Sequence, residues 1–163
     1  MRLLHLTVST GIALCTSVFG AKLLPRYEHL YSWTAELSDT KQIEGPLGTR
    51  IGVAIIGGNL TAPDGKLLAK AVTGLGGDTG VIDKTGNVQI DARLFYQFID
   101  DGKYAYIFST GVGSFTGISL DAARIETDSP SRAAWNSYFI VANVTLSSST
   151  SLKGDAFRYL TDA

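Results

Sequence analysis

The stretch 88–110 constrains the fold more than any other part of the chain, because it predicts one long β-hairpin. Apolar and polar side chains alternate along 88–99, and alternation with a period of two places every second residue on the same face of a strand. One face then carries Ile90, Ala92, Leu94, Tyr96 and Phe98. Asp100-Asp101-Gly102 supplies the chemistry of a tight turn, and 103–110 returns antiparallel. A strand pair of this length indicates a larger antiparallel sheet.

Short runs of β-forming residues, separated by clusters of Gly, Asp, Asn and Ser, fill the remaining chain. The other predicted strands are 29–37, 49–56, 59–62, 66–73, 81–82, 118–127, 134–146 and 157–161. We expect loops at 74–80 and 111–117 and a serine-rich turn at 147–151. The sequence therefore predicts one domain over 21–163. Its fold is a single antiparallel β-barrel of roughly nine or ten strands, with a lipocalin-like or dirigent-like shape.

Residues 1–20 have the pattern of a secretory signal peptide. Arg2 is followed by an uncharged, mainly apolar segment over 3–19, and Gly20 and Ala21 are small. Cleavage after Gly20 would remove Cys15, the single cysteine, and leave no apolar stretch long enough to span a membrane. Asn59 and Asn143 each begin an Asn-X-Thr sequon. We therefore expect a secreted, extracellular glycoprotein that is not held in a membrane.

Composition excludes several classes of function. The 14 Lys and Arg residues are balanced by 15 Asp and Glu, which argues against a protein that binds nucleic acid through its phosphates. One Cys and two His argue against a Cys-rich zinc site and a His-based metal site. No phosphate-binding loop or serine nucleophile motif occurs in the sequence. We expect neither a metal nor another cofactor.

The order of several short motifs resembles one known family. In chain order the motifs are Gly57-Gly58, Gly76-Gly77-Asp78, Asp91-Ala92-Arg93, Asp100-Asp101-Gly102, Ile125-Glu126-Thr127 and Ala134-Trp135-Asn136. This set resembles the small β-barrel proteins grouped as domain of unknown function 3237, over about 30–159. Thr79 stands where that family usually has an aromatic residue, and Trp135-Asn136 replaces its Trp-Leu-Asn element. The resemblance implies a β-barrel and no particular activity.

Asp78, Asp91 and Arg93 are candidate polar groups of a ligand site. Asp91 and Arg93 share one face of their strand, so an inward orientation would bury two charges that need each other or Glu126 as partners. An outward orientation would leave them solvated, as charged strand residues usually are. Asp78 lies in the predicted 74–80 loop, where it could cap a turn or contribute to an anion site.

Aromatic residues complete the candidate site. Trp33, Tyr96, Tyr106 and Trp135 could line an apolar binding site or belong to the core. We expect the barrel to bind a small apolar or aromatic metabolite and to steer its isomerisation or cyclisation, which requires shape and one or two polar contacts.

Two other functions remain open at this point. A non-catalytic surface or host-interaction protein would have an interior filled by side chains. A carboxylate-dependent hydrolase would need two acids in one cleft, drawn from Asp78, Asp91, Asp101 or Glu126. Apolar residues expected on the outer faces of 88–99 and 134–146 also predict a homodimer.

Overall fold

The computed structural model describes residues 25–114 and 116–160, so the predicted signal peptide lies outside the described residues. Ten strands and one short 3-10 helix, Pro130–Ser137, make up the fold. The strands are β1 Arg26–Leu37, β2 Lys41–Gly45, β3 Gly48–Thr61, β4 Leu67–Asp78, β5 Val81–Ile82, β6 Val88–Phe98, β7 Tyr104–Gly113, β8 Ile118–Thr127, β9 Ile140–Ser148 and β10 Ser151–Leu160. The predicted all-β class is confirmed.

All ten strands belong to one antiparallel sheet, with the order β1-β10-β9-β8-β7-β6-β4-β3-β2. β1 pairs with β3 as well as with β10, so the ladder of eight strands returns to its first strand. β2 extends from β3, and the short β5 bridges β3 and β6. This connectivity gives the sheet a barrel-like form with an inside and an outside.

The hairpin of β6 and β7 forms as the sequence predicts. Residues pair continuously from Val88 with Gly113 to Gln97 with Tyr104. Gly102 adopts a positive φ of 68° in the turn, and its N–H donates to the Phe98 carbonyl. Because the register is unbroken, the even-numbered residues of β6 all face the interior.

Two predicted boundaries are wrong around the glycine-rich segments. β4 continues to Asp78, although 74–80 was expected to be a loop. Between the pairs Ala71–Tyr96 and Gly76–Leu94, β4 has four residues opposite one residue of β6, and this excursion is a bulge. Gly76 has a φ of 112°, which lets the backbone rejoin the ladder. β7 likewise extends to Gly113, into the other expected loop.

The predicted strand over 134–146 is also wrong. Its first part belongs to the 3-10 helix, and β9 begins only at Ile140. Pro130 opens this helix, where its fixed φ and missing N–H are tolerated. Asn136 then fastens the helix to the end of β8, because its side chain bonds both the N–H and the carbonyl of Thr127. The apolar run 134–146 therefore combines two elements.

The sequence prediction also missed one strand, β2, and made another, β10, too short. β2 was not expected, because its five residues are exposed and carry no alternating apolar pattern. β10 begins at Ser151, well before the expected start at 157. Lys153-Gly154-Asp155 resembles a turn in sequence, but the backbone stays extended between β1 and β9.

The main hydrophobic core lies at one end of the barrel-like sheet. The Trp135 ring is stacked on Tyr31 at 5.8 Å and meets Phe98 edge-on at 6.0 Å between centroids. Arg132 lies over the Phe98 ring at 4.0 Å, with its side chain only 10% exposed, and pairs with Asp100 at 3.0 Å. The 3-10 helix thus plugs this end of the sheet, which we call the closed end.

Candidate functional site

An interior cavity of about 250 Å³ occupies the end of the sheet opposite the closed end. Apolar side chains of β1, β3, β6, β8 and β9 form most of its wall. The apolar lining residues include Leu37, Ile51, Val53, Ile55, Leu60, Val88, Ile90, Ala92, Leu94, Ile107, Ala123, Ala142, Val144, Leu146 and Leu152. The interior is therefore not filled by side chains at this end.

Three aromatic side chains contribute to the cavity wall. Tyr31, Trp33 and Tyr96 line it, and Tyr31 and Tyr96 are almost completely buried. Burial raises the pKa of both tyrosines well above its ordinary value, and for Tyr31 the proximity of Tyr96 adds to this effect. Both phenols stay neutral at physiological pH, and the Tyr96 hydroxyl donates to the Thr34 carbonyl at 3.4 Å.

Asp121 on β8 is the most unusual polar group in the cavity wall. It is only 7% exposed, and Ser109 donates a hydrogen bond of 2.7 Å to its Oδ2. Its Oδ1 is the one buried side-chain oxygen or nitrogen of the described residues that has no hydrogen-bond partner. Burial raises the pKa of Asp121 to about 6; the Ser109 hydrogen bond opposes this shift and the nearby Asp78 carboxylate adds to it. Asp121 can therefore give and take a proton near neutral pH.

Two glycines on β7 make the room that the polar side chains of β8 occupy. Gly111 pairs with Asp121, and a Cβ at position 111 would overlap Asp121 Oδ1 and the Leu120 carbonyl. A Cβ at Gly113 would overlap the side chain of Ser119, another residue of the cavity wall. The glycines of this segment therefore serve close packing across two strands, whereas the sequence predicted a loop here.

Asp78 is the second carboxyl group in the cavity wall. Its Oδ1 accepts the N–H of Gly80 at 2.8 Å and that of Asp91 at 3.2 Å, so it fixes the turn after β4 as one of the sequence hypotheses expected. Burial raises the pKa of Asp78; these two N–H groups and the Arg93 charge oppose the shift, and the Asp91 charge adds to it. The cavity thus combines two carboxyl groups within electrostatic reach of each other.

Five of the eight candidate ligand-binding residues do not line this cavity. Trp33, Asp78 and Tyr96 do, whereas the others lie elsewhere for identifiable reasons. Strand alternation turns Asp91, Arg93, Tyr106 and Glu126 to the outer face, and Trp135 belongs to the plug at the closed end.

The outer-face residues form surface contacts of their own. Arg93 pairs with Asp91 and lies over the Phe108 ring at 3.9 Å, with nearly half of each charged side chain exposed. Tyr106 packs on Phe95, with ring centroids 5.0 Å apart. Glu126 does not join Asp91 and Arg93 but pairs with Arg124 at 3.4 Å. The open question about the charged face of β6 is thereby answered in favour of the outside.

A second polar cluster lies on the outer surface of β1 and β10. Ser32 donates to Asp155 Oδ1 at 2.7 Å, and His29 Nε2 lies 3.3 Å from the Ser32 hydroxyl and 3.5 Å from Asp155 Oδ1. A nucleophilic triad needs the base between the hydroxyl and the acid. Here the serine hydrogen is directed to the carboxylate, so the cluster does not have that arrangement.

Two other kinds of site can be assessed over the described ranges. Nowhere in 25–114 or 116–160 do three His, Cys, Asp or Glu side chains come together as a set that could hold a metal ion. Among the same residues, no helix is long and apolar enough to cross a membrane.

The fold and the cavity define a class: an antiparallel, barrel-like β protein with one plugged end and an acidic, otherwise apolar cavity at the other. The chain belongs to the family described as "Protein of unknown function (DUF3237)", whose model matches residues 25–152. This confirms the family that the order of motifs suggested. Among proteins with curated descriptions, none matches this chain.

Solved structures of low sequence identity share the fold. A conserved protein of unknown function from Rhodopseudomonas palustris has a TM-score of 0.75 at 17% identity, covering 85% of this chain and 99% of its own. A beta-barrel like protein from Acinetobacter baumannii has a TM-score of 0.73 at 19% identity, covering 86% and 99%. A structure described as an enzyme from Penicillium herquei has a TM-score of 0.63 at 17% identity, covering 86% and 99%.

Proposed function

We propose that this protein binds a small, largely apolar or aromatic molecule in its cavity and steers the isomerisation or cyclisation of that molecule. The observation that supports this most is a buried carboxyl group, Asp121, in the wall of an apolar cavity of about 250 Å³. Ligand sites are typically apolar, with a few placed polar groups, and about 300–1,000 Å³ in volume. The cavity is close to the lower limit of that range, which favours a small ligand.

Asp121 would act by exchanging a proton with the bound molecule. A carboxyl group whose pKa is raised to about 6 holds its proton in part of the molecules near neutral pH, as a general acid or base requires. In an isomerisation or cyclisation, ionised Asp121 takes a proton from one atom of the ligand and returns one to another. The reaction is then redox-neutral and leaves the carboxyl group unchanged.

The shape of the cavity would supply the rest of the rate enhancement. Side chains of several strands surround the ligand and hold its reacting atoms near one another, which reduces the entropic part of the barrier. The fold is compatible with catalysis, because the Penicillium herquei structure of the same fold is described as an enzyme. The cavity disfavours the alternative of a non-catalytic surface or host-interaction protein, because that protein would have an interior filled by side chains.

A carboxylate-dependent hydrolase is the second candidate. Asp78 and Asp121 both line the cavity and interact electrostatically, which is the kind of pair such an enzyme uses. Ester or glycoside cleavage with release of two products by the purified protein, with no isomerised product, would favour this candidate.

Ligand retention tests the primary proposal. Purified protein is incubated with a metabolite extract from its host, separated from free compounds and analysed by native mass spectrometry. We expect a retained compound in the wild type and its loss in Ala92→Trp, because Ala92 lines the cavity. Ala122→Trp is the matched control, since Ala122 is exposed on the outer face. No retained compound, or equal retention in Ala92→Trp, would contradict the proposal.

We also propose that the protein is exported and glycosylated. The support is the signal-peptide pattern of residues 1–20 and the two sequons. Asn59 is exposed, whereas Asn143 is half-buried and its Oδ1 accepts the Asp155 N–H at 2.8 Å. We expect a mature N-terminus at Ala21 and greater glycan occupancy at Asn59, measured by mass spectrometry of the protein from culture medium. Retention of residues 1–20 would argue against this proposal.

The predicted homodimer stays a prediction.

A further inference from the structure

The cavity wall carries acidic side chains and no basic ones among the described residues. Asp78 and Asp121 line it, but no Lys, Arg or His does. The two well-packed arginines lie elsewhere, Arg93 on the outer face and Arg132 at the closed end. The remaining polar groups of the lining are neutral: Tyr31, Trp33, Thr40, Gln42, Tyr96, Ser109, Ser114, Ser119 and Ser149. A molecule entering the cavity therefore meets two carboxyl groups and no basic side chain in the wall, although Arg93, from the outer face, partly offsets the charge of Asp78.

The two carboxyl groups differ in how far the protein satisfies them. Asp78 Oδ1 already accepts two backbone N–H groups. Asp121 accepts one hydrogen bond, from Ser109, and its Oδ1 is buried without any partner. A buried carboxylate oxygen normally has hydrogen-bond donors, since water no longer solvates it. Asp121 is more than nine-tenths buried and lines the cavity, so a donor on a bound molecule is the partner from outside the protein that its carboxyl group could meet.

We infer that the ligand carries a protonated amine on its apolar or aromatic frame, and that this ammonium group pairs with Asp121 beside Asp78. The inference rests on the proposed binding function of the cavity and adds the chemical class of the ligand. An ammonium group supplies both the missing donor and the missing positive charge, and a hydrogen bond between two ionised groups is stronger than a neutral one. The aromatic faces of Tyr31, Trp33 and Tyr96 in the same wall also attract a cation.

An anionic ligand would instead bring a third negative charge into the cavity, and the protein offers it no basic side chain there. A neutral alcohol could donate to Asp121 but would leave the carboxylate charges uncompensated. The same electrostatics assists the proposed chemistry, because a cavity that favours an ammonium group also favours positive charge that develops during isomerisation or cyclisation.

Binding of an amine should also depend on pH. The titratable side chains that line the cavity with Asp121 are Asp78, Tyr31 and Tyr96, while β7 and β9 place Ser109 and Ala142 against it. The two tyrosines remain neutral, and burial raises the pKa of Asp121 to about 6, so Asp121 changes charge between mildly acidic and neutral pH. The ammonium group would lose this partner as Asp121 takes up a proton.

Three probes with one frame test the inference: 1-naphthylmethylamine, 1-naphthalenemethanol and 1-naphthoic acid. At about pH 7.5, isothermal titration calorimetry should show the amine bound at least about tenfold more tightly than the alcohol, and the acid not measurably bound. In the Asp121→Asn variant, the amine should bind within about threefold of the alcohol measured with the same variant. Glu126→Gln, on the outer face of the same strand, is the matched control and should keep the preference.

The outcomes separate this inference from the proposed function. Equal affinity for amine and alcohol, or tight binding of the acid, would overturn the inference while leaving the cavity a binding site. Binding of none of the three probes would count against both. If Asp121→Asn does not fold, the wild type at about pH 4.5 replaces it, where protonation should reduce the amine affinity towards that of the alcohol. An amine preference that persists at this pH would refute the role of Asp121.

Discussion

Replacement of Asp121 by Asn should change how the stability of the fold depends on pH. The substitution keeps the shape of the side chain and removes its charge and its titration. Burial raises the pKa of the carboxyl from an ordinary 3.8 to about 6, opposed by the Ser109 hydrogen bond and assisted by the Asp78 charge. The folded protein therefore holds this proton at pH values where the unfolded chain has already lost it.

The sign and size of the effect follow from this difference. In the wild type, the contribution of Asp121 to the free energy of unfolding falls as pH rises from about 4 to 6 and levels off above about pH 7. A pKa raised from 3.8 to about 6 corresponds to a loss of about 3 kcal/mol, at about 1.4 kcal/mol for each pKa unit. The side-chain amide of the Asp121→Asn variant does not titrate, so the variant lacks this loss.

Urea unfolding of both proteins at about pH 4 and about pH 7.5 measures the effect. The amide imposes its own packing cost at both pH values, and this cost cancels when the two differences between variant and wild type are compared. We expect the variant to gain about 2.4 kcal/mol on the wild type between the two pH values, somewhat less than the full effect because at about pH 4 the unfolded carboxyl has already lost part of its proton. Asp64→Asn, in an exposed turn, controls for the removal of a charge elsewhere. A difference that is the same at both pH values would refute the reasoning.

Three further substitutions probe other parts of the structure. Gly111→Ala should cost about 2 kcal/mol in urea unfolding, because its Cβ would overlap Asp121 Oδ1 and a backbone carbonyl; an unchanged midpoint would contradict this packing. Trp135→Ala should cost about 3 kcal/mol by loss of the plug against Tyr31 and Phe98, and a cost near zero would show that the plug is not needed. Arg93→Ala should leave the affinity for a cavity ligand within about twofold, since the side chain lies outside; a large loss would place Arg93 in the site.

The elements with strong local patterns could be predicted from the sequence. Unbroken alternation along β6 and the Asp-Asp-Gly turn predicted the central hairpin and the residues that share each face, but not which face points inward. The sequence did not show where the apolar run 134–146 changes from the 3-10 helix to β9. That boundary depends on the packing of Trp135 against Tyr31 and Phe98, which are remote in sequence and become neighbours only in the folded sheet.

Some site residues could not be predicted because they lie on strands with apolar and polar side chains on both faces. On β8, one face carries Ile118, Leu120 and Arg124, while the other carries Ser119, Asp121 and Ile125, so local hydrophobicity does not choose between them. Ala123 and Ile125 pack in the core at the closed end, and this packing determines which face of β8 points inward.

Because side chains alternate along β8, this facing places Asp121 in the cavity wall and leaves Ile118 and Leu120 65% exposed on the outside. Hydrophobicity alone would predict the opposite arrangement. One sequence feature could have indicated this facing: the glycines at 111 and 113 on β7. A side chain at either position would overlap Asp121 or Ser119, so the glycines make room for these polar residues of β8. A buried acid is normally unfavourable for a core. Its presence here, accommodated by two glycines and held by Ser109, is therefore better explained by the proposed binding function of the cavity than by the stability of the fold.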